Sequence, residues 1–133
     1  MTAKRYVAIV NPLGGTRQGP AILKSVGQVF AGAGAVLDVH TTTHGGHARE
    51  LAQSLPLENC NGLCVVGGDG TIHEAVNGLM RRENPPGVPL GIIPAGSGNT
   101  VAEHLGCLDP AVAAKRIVEG NVRSLDVARV TAG

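Results

Sequence analysis

What most constrains the fold of this chain is a rhythm. Short, nearly continuous runs of Val, Ile and Leu alternate with stretches of helical periodicity. A strand with one solvated face alternates apolar and polar residues, whereas a strand covered on both faces has no polar side to show. Such strands separated by helices predict a mostly parallel sheet between two helical layers, a three-layer doubly wound α/β fold. Strands are expected at Tyr6–Val10, Val36–Thr41, Leu63–Val66, Leu90–Ile93 and Val122–Val130. The first helix is expected from about Pro20 to Phe30, with Ile22, Leu23, Val26, Val29 and Phe30 on one stripe and glycines Gly32 and Gly34 at its end. A second carries Ala48, Leu51, Ala52 and Leu55. A third places Ile72, Ala75, Val76, Leu79 and Met80 on a core-facing stripe. Shorter helices fit Thr100–Leu105 and Pro110–Val118.

At 133 residues the chain has the size of a single domain, residues 1–133, with no repeat or interdomain linker. A net charge of +1 and an aromatic content of 2% argue against nucleic acid as a partner, since neither a basic surface nor stacking rings are supplied. Cys60, Cys64 and Cys107 are odd in number and form no CxxC pair, so they read as free thiols in a reducing compartment. No apolar run has the length of a signal peptide or a membrane span, and the expected location is cytoplasmic.

Ligands of open α/β sheets bind beyond the carboxyl ends of the strands. Each unusual loop of this sequence falls at such an end: NPLGG after the first strand, TTTHGGH after the second, GGDGT after the third and PAGSGNT after the fourth. Turns rich in glycine expose backbone N–H groups, some of them at helix N-termini, which suits phosphate. Asp69 stands out among them because an anion site has no use for a carboxylate. Its presence suggests a magnesium ion, a ribose hydroxyl or a hydroxyl that must lose its proton. The sequence contains neither GxxxxGK[ST] nor GxGxxG, so the two commonest nucleotide folds are not indicated.

Taken together, NPLGG, THGGHARELA, VVGGDGTIHEAVNGLM, PAGSGNTVAEHLG and RSLDVARV resemble the catalytic domain of diacylglycerol and sphingosine kinases over nearly the whole chain. The resemblance implies a Rossmann-like N-terminal domain of a lipid kinase, which uses ATP and Mg2+ to phosphorylate a lipid hydroxyl. By matching position, Asn11, Thr42, Gly67, Gly68, Gly70, Thr71 and Glu74 would bind the nucleotide, with Gly96, Ser97 and Gly98 from the fourth loop. Asp69 would be the catalytic carboxylate, and Asp126 would join a magnesium-associated network. In the fourth loop Asn99 is followed by Thr100 where bacterial diacylglycerol kinases often carry an Asn-Asp pair, so this loop looks closer to the sphingosine kinases. Family members also continue into a β-rich second domain that holds the lipid and meets the membrane surface, and that domain is expected to lie outside these residues. The alternatives are a non-catalytic nucleotide-binding module and another GGDG-type kinase such as NAD kinase. The lipid, the nucleotide preference and the oligomeric state stay open.

Structural roles compete for several of these residues. Thr71 and Glu74 match a T-x-x-E capping box, with Thr71 as the cap of the third helix. Asp69 could instead cap or close that turn, Gly67 could serve chain reversal alone, Asn11 could merely end a strand before Pro12, and Asp126 could be a solvated strand carboxylate. Arg81 and Arg82 read as cations complementing the C-terminal dipole of their own helix. His40, His44 and His47 read as solvated loop side chains rather than zinc ligands.

Overall fold

Nearly continuous apolar strands with glycine-rich exits do build a parallel sheet. In the computed structural model the described residues are 3–12, 19–83, 87–95, 106 and 108–120. They form β1 (Arg5–Val10), α1 (Gly19–Gly32), β2 (Val36–Thr41), α2 (His47–Ser54), β3 (Gly62–Gly67), α3 (Asp69–Met80), β4 (Leu90–Pro94) and α4 (Pro110–Val118). The expected strand at Val122–Val130 and helix at Thr100–Leu105 lie outside the described residues. Strand order is β2-β1-β3-β4, and every pairing is parallel.

Alternation along each inner strand decides which helical layer its side chains meet. Tyr6, Ala8 and Val10 of β1 and Cys64 and Val66 of β3 pack on the face that holds α1 and α4, with Val26 and Phe30 from α1 and Ala113 and Ala114 from α4. Val7, Ile9, Leu63 and Val65 point the opposite way, against Ala48 and Ala52 of α2 and Ile72 and Ala75 of α3. Both inner strands are therefore buried on two sides, which is why they read as unbroken apolar runs. Burial also pushes the Cys64 thiol up to about 12, with a smaller contribution from Cys60.

Three expectations need correction. The strand β2 is an outer strand of the described sheet: Val36 and Val39 are exposed, and Asp38 and His40 already interrupt its apolar run. Met80, placed on the core stripe of the third helix, is exposed, because the buried face of α3 runs through Thr71, Ile72, Ala75 and Gly78. Arg82 serves another helix: its Nη1 donates to the carbonyls of Ala52, Gln53 and Leu55, the last turn of α2, and Nη2 pairs with Glu58. The end of α1 follows expectation. Gly34 takes φ +72°, and Ala35 N–H donates to Phe30 C=O across the turn, a Schellman closure that a residue with a Cβ enters at a cost.

The parallel pair α2 and α3 is joined at two levels. In the middle, a Cβ on Gly78 would lie 2.2 Å from the Arg49 carbonyl oxygen and 2.8 Å from the Ala52 methyl, so only glycine permits the approach. At the carboxyl end, Arg82 ties the tail of α3 to the last carbonyls of α2. Their amino ends reach the loop edge of the sheet.

Candidate functional site

In this sheet the chain leaves β1 for β2 on one side, and β3 then returns to pair with β1 on the other. The point where strand order reverses is the expected crevice of a doubly wound sheet, and it lies between the carboxyl ends of β1 and β3. Asn11 follows β1 there. Its backbone N–H donates to Val66 C=O at 3.2 Å, and its Nδ2 donates to Thr71 Oγ1 at 3.2 Å. Asn11 therefore does more than end a strand, because it ties the exit of β1 to the first turn of α3.

Gly67 closes β3 under that turn. A Cβ on Gly67 would lie 2.9 Å from both Cβ and Oγ1 of Thr71, so its glycine is required by packing as well as by any chain reversal. The N-cap of α3 is Gly68, in an extended conformation, and Asp69 is the first helical residue. Thr71 is then the third residue of the helix rather than its cap, which corrects the capping-box reading of Thr71 and Glu74. The physical reason is that the strand needs no extra turn: extended Gly68 enters the helix directly, and Thr71 folds back onto Gly67 and Asn11. Asp69 is likewise the first helical residue rather than the N-cap. Gly68 has no side chain to serve the first-turn N–H groups, and the site of a Cβ on Gly70 is open space. Such a helix start can receive an anion.

A cleft of about 230 Å³ opens beside this turn. Asn11, Thr71 and Glu74 form one wall, and Thr42, Thr43, His44, Gly45 and Ala48 the other. Thr42 is buried, and its N–H continues the sheet by donating to Val10 C=O at 2.8 Å. The second wall ends where α2 begins, with Gly46 as N-cap at φ +83°, a left-handed conformation suited to glycine. The structure thus gathers Asn11, Thr42, Thr71 and Glu74 around one cleft, next to the Gly67–Asp69–Gly70 turn. Gly96, Ser97, Gly98 and Asp126 lie outside the described residues.

The sequence reading missed the other half of the second wall. His44 and His47 are not simply solvated: their rings stack with centroids 4.5 Å apart and planes 12° from parallel. The signal was present in TTTHGGH, a polar loop at a strand's carboxyl end, but nothing in the sequence said which side chains turn inward. Among the described residues no group of three His, Cys, Asp or Glu side chains converges on a metal position.

Residues 5–130 match the diacylglycerol kinase catalytic domain. The chain belongs to this family. A sphingoid long-chain bases kinase from Arabidopsis thaliana is 40% identical over 95% of this chain and 17% of its own length. The diacylglycerol kinase of Bacillus subtilis is 37% identical over 96% of this chain and 42% of its own. The crystal structure of a diacylglycerol kinase from Bacillus anthracis superposes with a TM-score of 0.76 at 31% identity, covering 92% of this chain and 42% of that one. The family fold is thus shared, and this chain spans less than half the length of each of these relatives. In this chain the glycine turn after β3 and the cleft beside it bring polar groups together at the carboxyl edge of the sheet.

Proposed function

We propose that this chain is the ATP-binding domain of a lipid kinase, which transfers the γ-phosphoryl group of ATP to a lipid hydroxyl. One observation carries the reading: in a chain of the diacylglycerol kinase catalytic family, Asn11, Thr42, Thr71 and Glu74 converge on a cleft beside the open glycine turn at the strand-order reversal. The first-turn N–H groups of α3 and the bare surface at Gly70 receive phosphate oxygens. Asn11, Thr42 and Glu74 face the sugar and the remaining phosphates. Gly96, Ser97 and Gly98 join from the fourth loop, and Asp126 from the end of the chain, on the strength of the resemblance alone.

Transfer is in line: the acceptor oxygen bonds to the γ-phosphorus as the bond to the bridging oxygen breaks, and ADP leaves with that electron pair. Positioning and charge neutralisation carry most of such catalysis. Asp69, at the glycine turn, orients the acceptor hydroxyl and takes its proton. Mg2+ binds through one or two carboxylates and the substrate's own phosphates rather than through a protein-only cage. Glu74, which lines the cleft, would hold such an ion together with those phosphates, and the ion would neutralise phosphate charge.

The relatives named for sphingoid bases, diacylglycerol and ceramide support a lipid acceptor, and the fourth loop favours a long-chain base among them. We place the groups that bind the lipid, and the contact with the membrane surface, in a β-rich domain beyond these residues. None of the described helices is long and apolar enough to cross a membrane. A cytoplasmic location accords with the unpaired thiols of Cys60 and Cys64.

The test is a titration of the 133-residue protein with ATP in magnesium buffer, followed by chemical shifts. Saturable changes at Asn11, Thr42, Gly67 to Thr71 and Gly96 to Asn99 are expected, with no phosphate transfer to sphingosine, diacylglycerol or monoacylglycerol until a cognate β-rich domain is fused to the chain. Shifts confined to residues outside the cleft, its glycine turn and the fourth loop, or none at millimolar ATP, refute the cleft. Lipid phosphorylation by the 133 residues alone refutes the division of labour.

A further inference from the structure

A nucleotide needs a surface for its base as well as a turn for its phosphates, and this protein has few rings to offer. It contains one Tyr, one Phe and no Trp. Tyr6 and Phe30 are 3% and 1% exposed and pack edge to face at 5.1 Å in the core, so neither can meet a ligand. Aromatic rings open to solvent must then come from histidine, and of the described histidines His44 lines the cleft.

Resting on the nucleotide reading above, we infer that the His44 ring is the stacking face for the base of the bound nucleotide, with His47 backing it. Three features of the loop support this. His44 is held at both ring edges: Nε2–H donates to the Glu50 carboxylate at 3.3 Å, which leaves Nδ1 to accept from the Thr43 hydroxyl at 3.0 Å. His47, stacked behind it, accepts the Thr43 backbone N–H at Nδ1 at 2.9 Å, so the supporting ring is fixed too. The His44 side chain is nevertheless 53% exposed, because only one of its faces is covered. A ring fixed in advance loses little freedom when a ligand stacks on it.

Its place in the sheet fits. His44 follows β2, two strands from the glycine turn that follows β3 in the order β2-β1-β3. At about 4.8 Å per strand the two are separated by about 10 Å, which is the scale of a nucleotide stretched from phosphate to base. Asn11, after the intervening β1, falls between them, at the sugar. Because both edges of His44 are already hydrogen-bonded within the loop, it reads the base by its face alone. Stacking of this kind tolerates different bases, since every base has a π face. His44 therefore contributes equally to ATP and GTP and nothing to a ligand that lacks a base.

The experiment compares the wild-type protein with His44→Ala and His44→Phe by calorimetric titration against ATP, GTP and inorganic tripolyphosphate in magnesium buffer. His44→Ala should weaken ATP and GTP alike by about thirtyfold, the middle of the range for loss of one base–ring stack, and leave tripolyphosphate unchanged. His44→Phe keeps a flat face without the edge hydrogen bonds and should hold ATP within about twofold. An unchanged ATP affinity in His44→Ala overturns the stacking role while the nucleotide reading stands. Equal weakening of ATP and tripolyphosphate also overturns it, because His44 would then only shape the loop. If neither ligand binds the wild-type protein, the nucleotide reading falls and this inference with it.

Discussion

Replacing Gly78 by alanine asks whether packing between α2 and α3, away from the cleft, sets the spacing of its walls. The added methyl would sit 2.2 Å from the Arg49 carbonyl oxygen and 2.8 Å from the Ala52 methyl. The first of these is backbone inside a helix and cannot swing aside, so the helices must part by about 1 Å to restore ordinary contact. Overpacking of this kind costs up to about 3 kcal/mol, and the better helix propensity of alanine returns about 1 kcal/mol. The net loss is about 2 kcal/mol, or roughly 8 °C in melting temperature for a domain of this size. Gly27→Ala on α1 is the control, since a methyl there meets nothing within 4 Å and the same propensity gain should raise stability by about 1 kcal/mol. Thermal and urea unfolding of both variants give the two signs side by side. Because α2 carries one wall of the cleft at its start and α3 the other, Gly78→Ala should also weaken ATP binding in samples held below their melting transition. A Gly78→Ala protein that melts at or above wild type, as Gly27→Ala does, refutes the argument.

Arg82→Met keeps the buried stem but removes every donor from the last carbonyls of α2, and should lower stability by about 2 kcal/mol in urea titration. Gly70→Asp puts a carboxylate into the open space at the start of α3, so calorimetry should show ATP binding lost while the melting temperature changes little. In an enzyme carrying the complete lipid site, Asp69→Asn should collapse turnover with a much smaller loss of ATP affinity; near-normal turnover would assign Asp69 a purely structural role. Burial raises the Cys64 thiol from 9.0 to about 12, so the unfolded chain releases that proton first. Stability from this group is complete below pH 9 and falls as pH rises toward 12, and Cys64→Ala should flatten that part of an unfolding-versus-pH curve.

Legibility in the sequence followed the range of the interaction that decides each feature. Strands β1 and β3 were readable because burial on both faces leaves its mark within the strand itself, and the start of α3 was bracketed by its own glycines. The status of β2 was only half readable: Asp38 and His40 interrupt its run, but the exposure of Val36 and Val39 follows from the strand order. The role of Arg82 was hidden for a similar reason: its acceptors lie 27 to 30 residues earlier, while the dipole of its own helix offered a nearer explanation. Thr71 misled by local rule. A T-x-x-E pattern marks a cap when nothing else competes, but here Asn11, 60 residues away, takes the hydroxyl from the other side.

The same contrast explains why the candidate site was half legible. Glycine and aspartate at the turn after β3 announce themselves, because few sequences place GGDG between a buried strand and a helix without a ligand to serve. In the wall after β2, His44 is held by Thr43, His47 and Glu50, each an ordinary surface residue until the left-handed turn at Gly46 brings them together. On the function proposed above, phosphate is held by backbone that glycine exposes, and that feature is written into composition. Selection among ligands that share a phosphate would, on the inference above, rest on side chains oriented by one another, and those contacts appear only once β2 and α2 stand beside β1 at the open edge of the sheet.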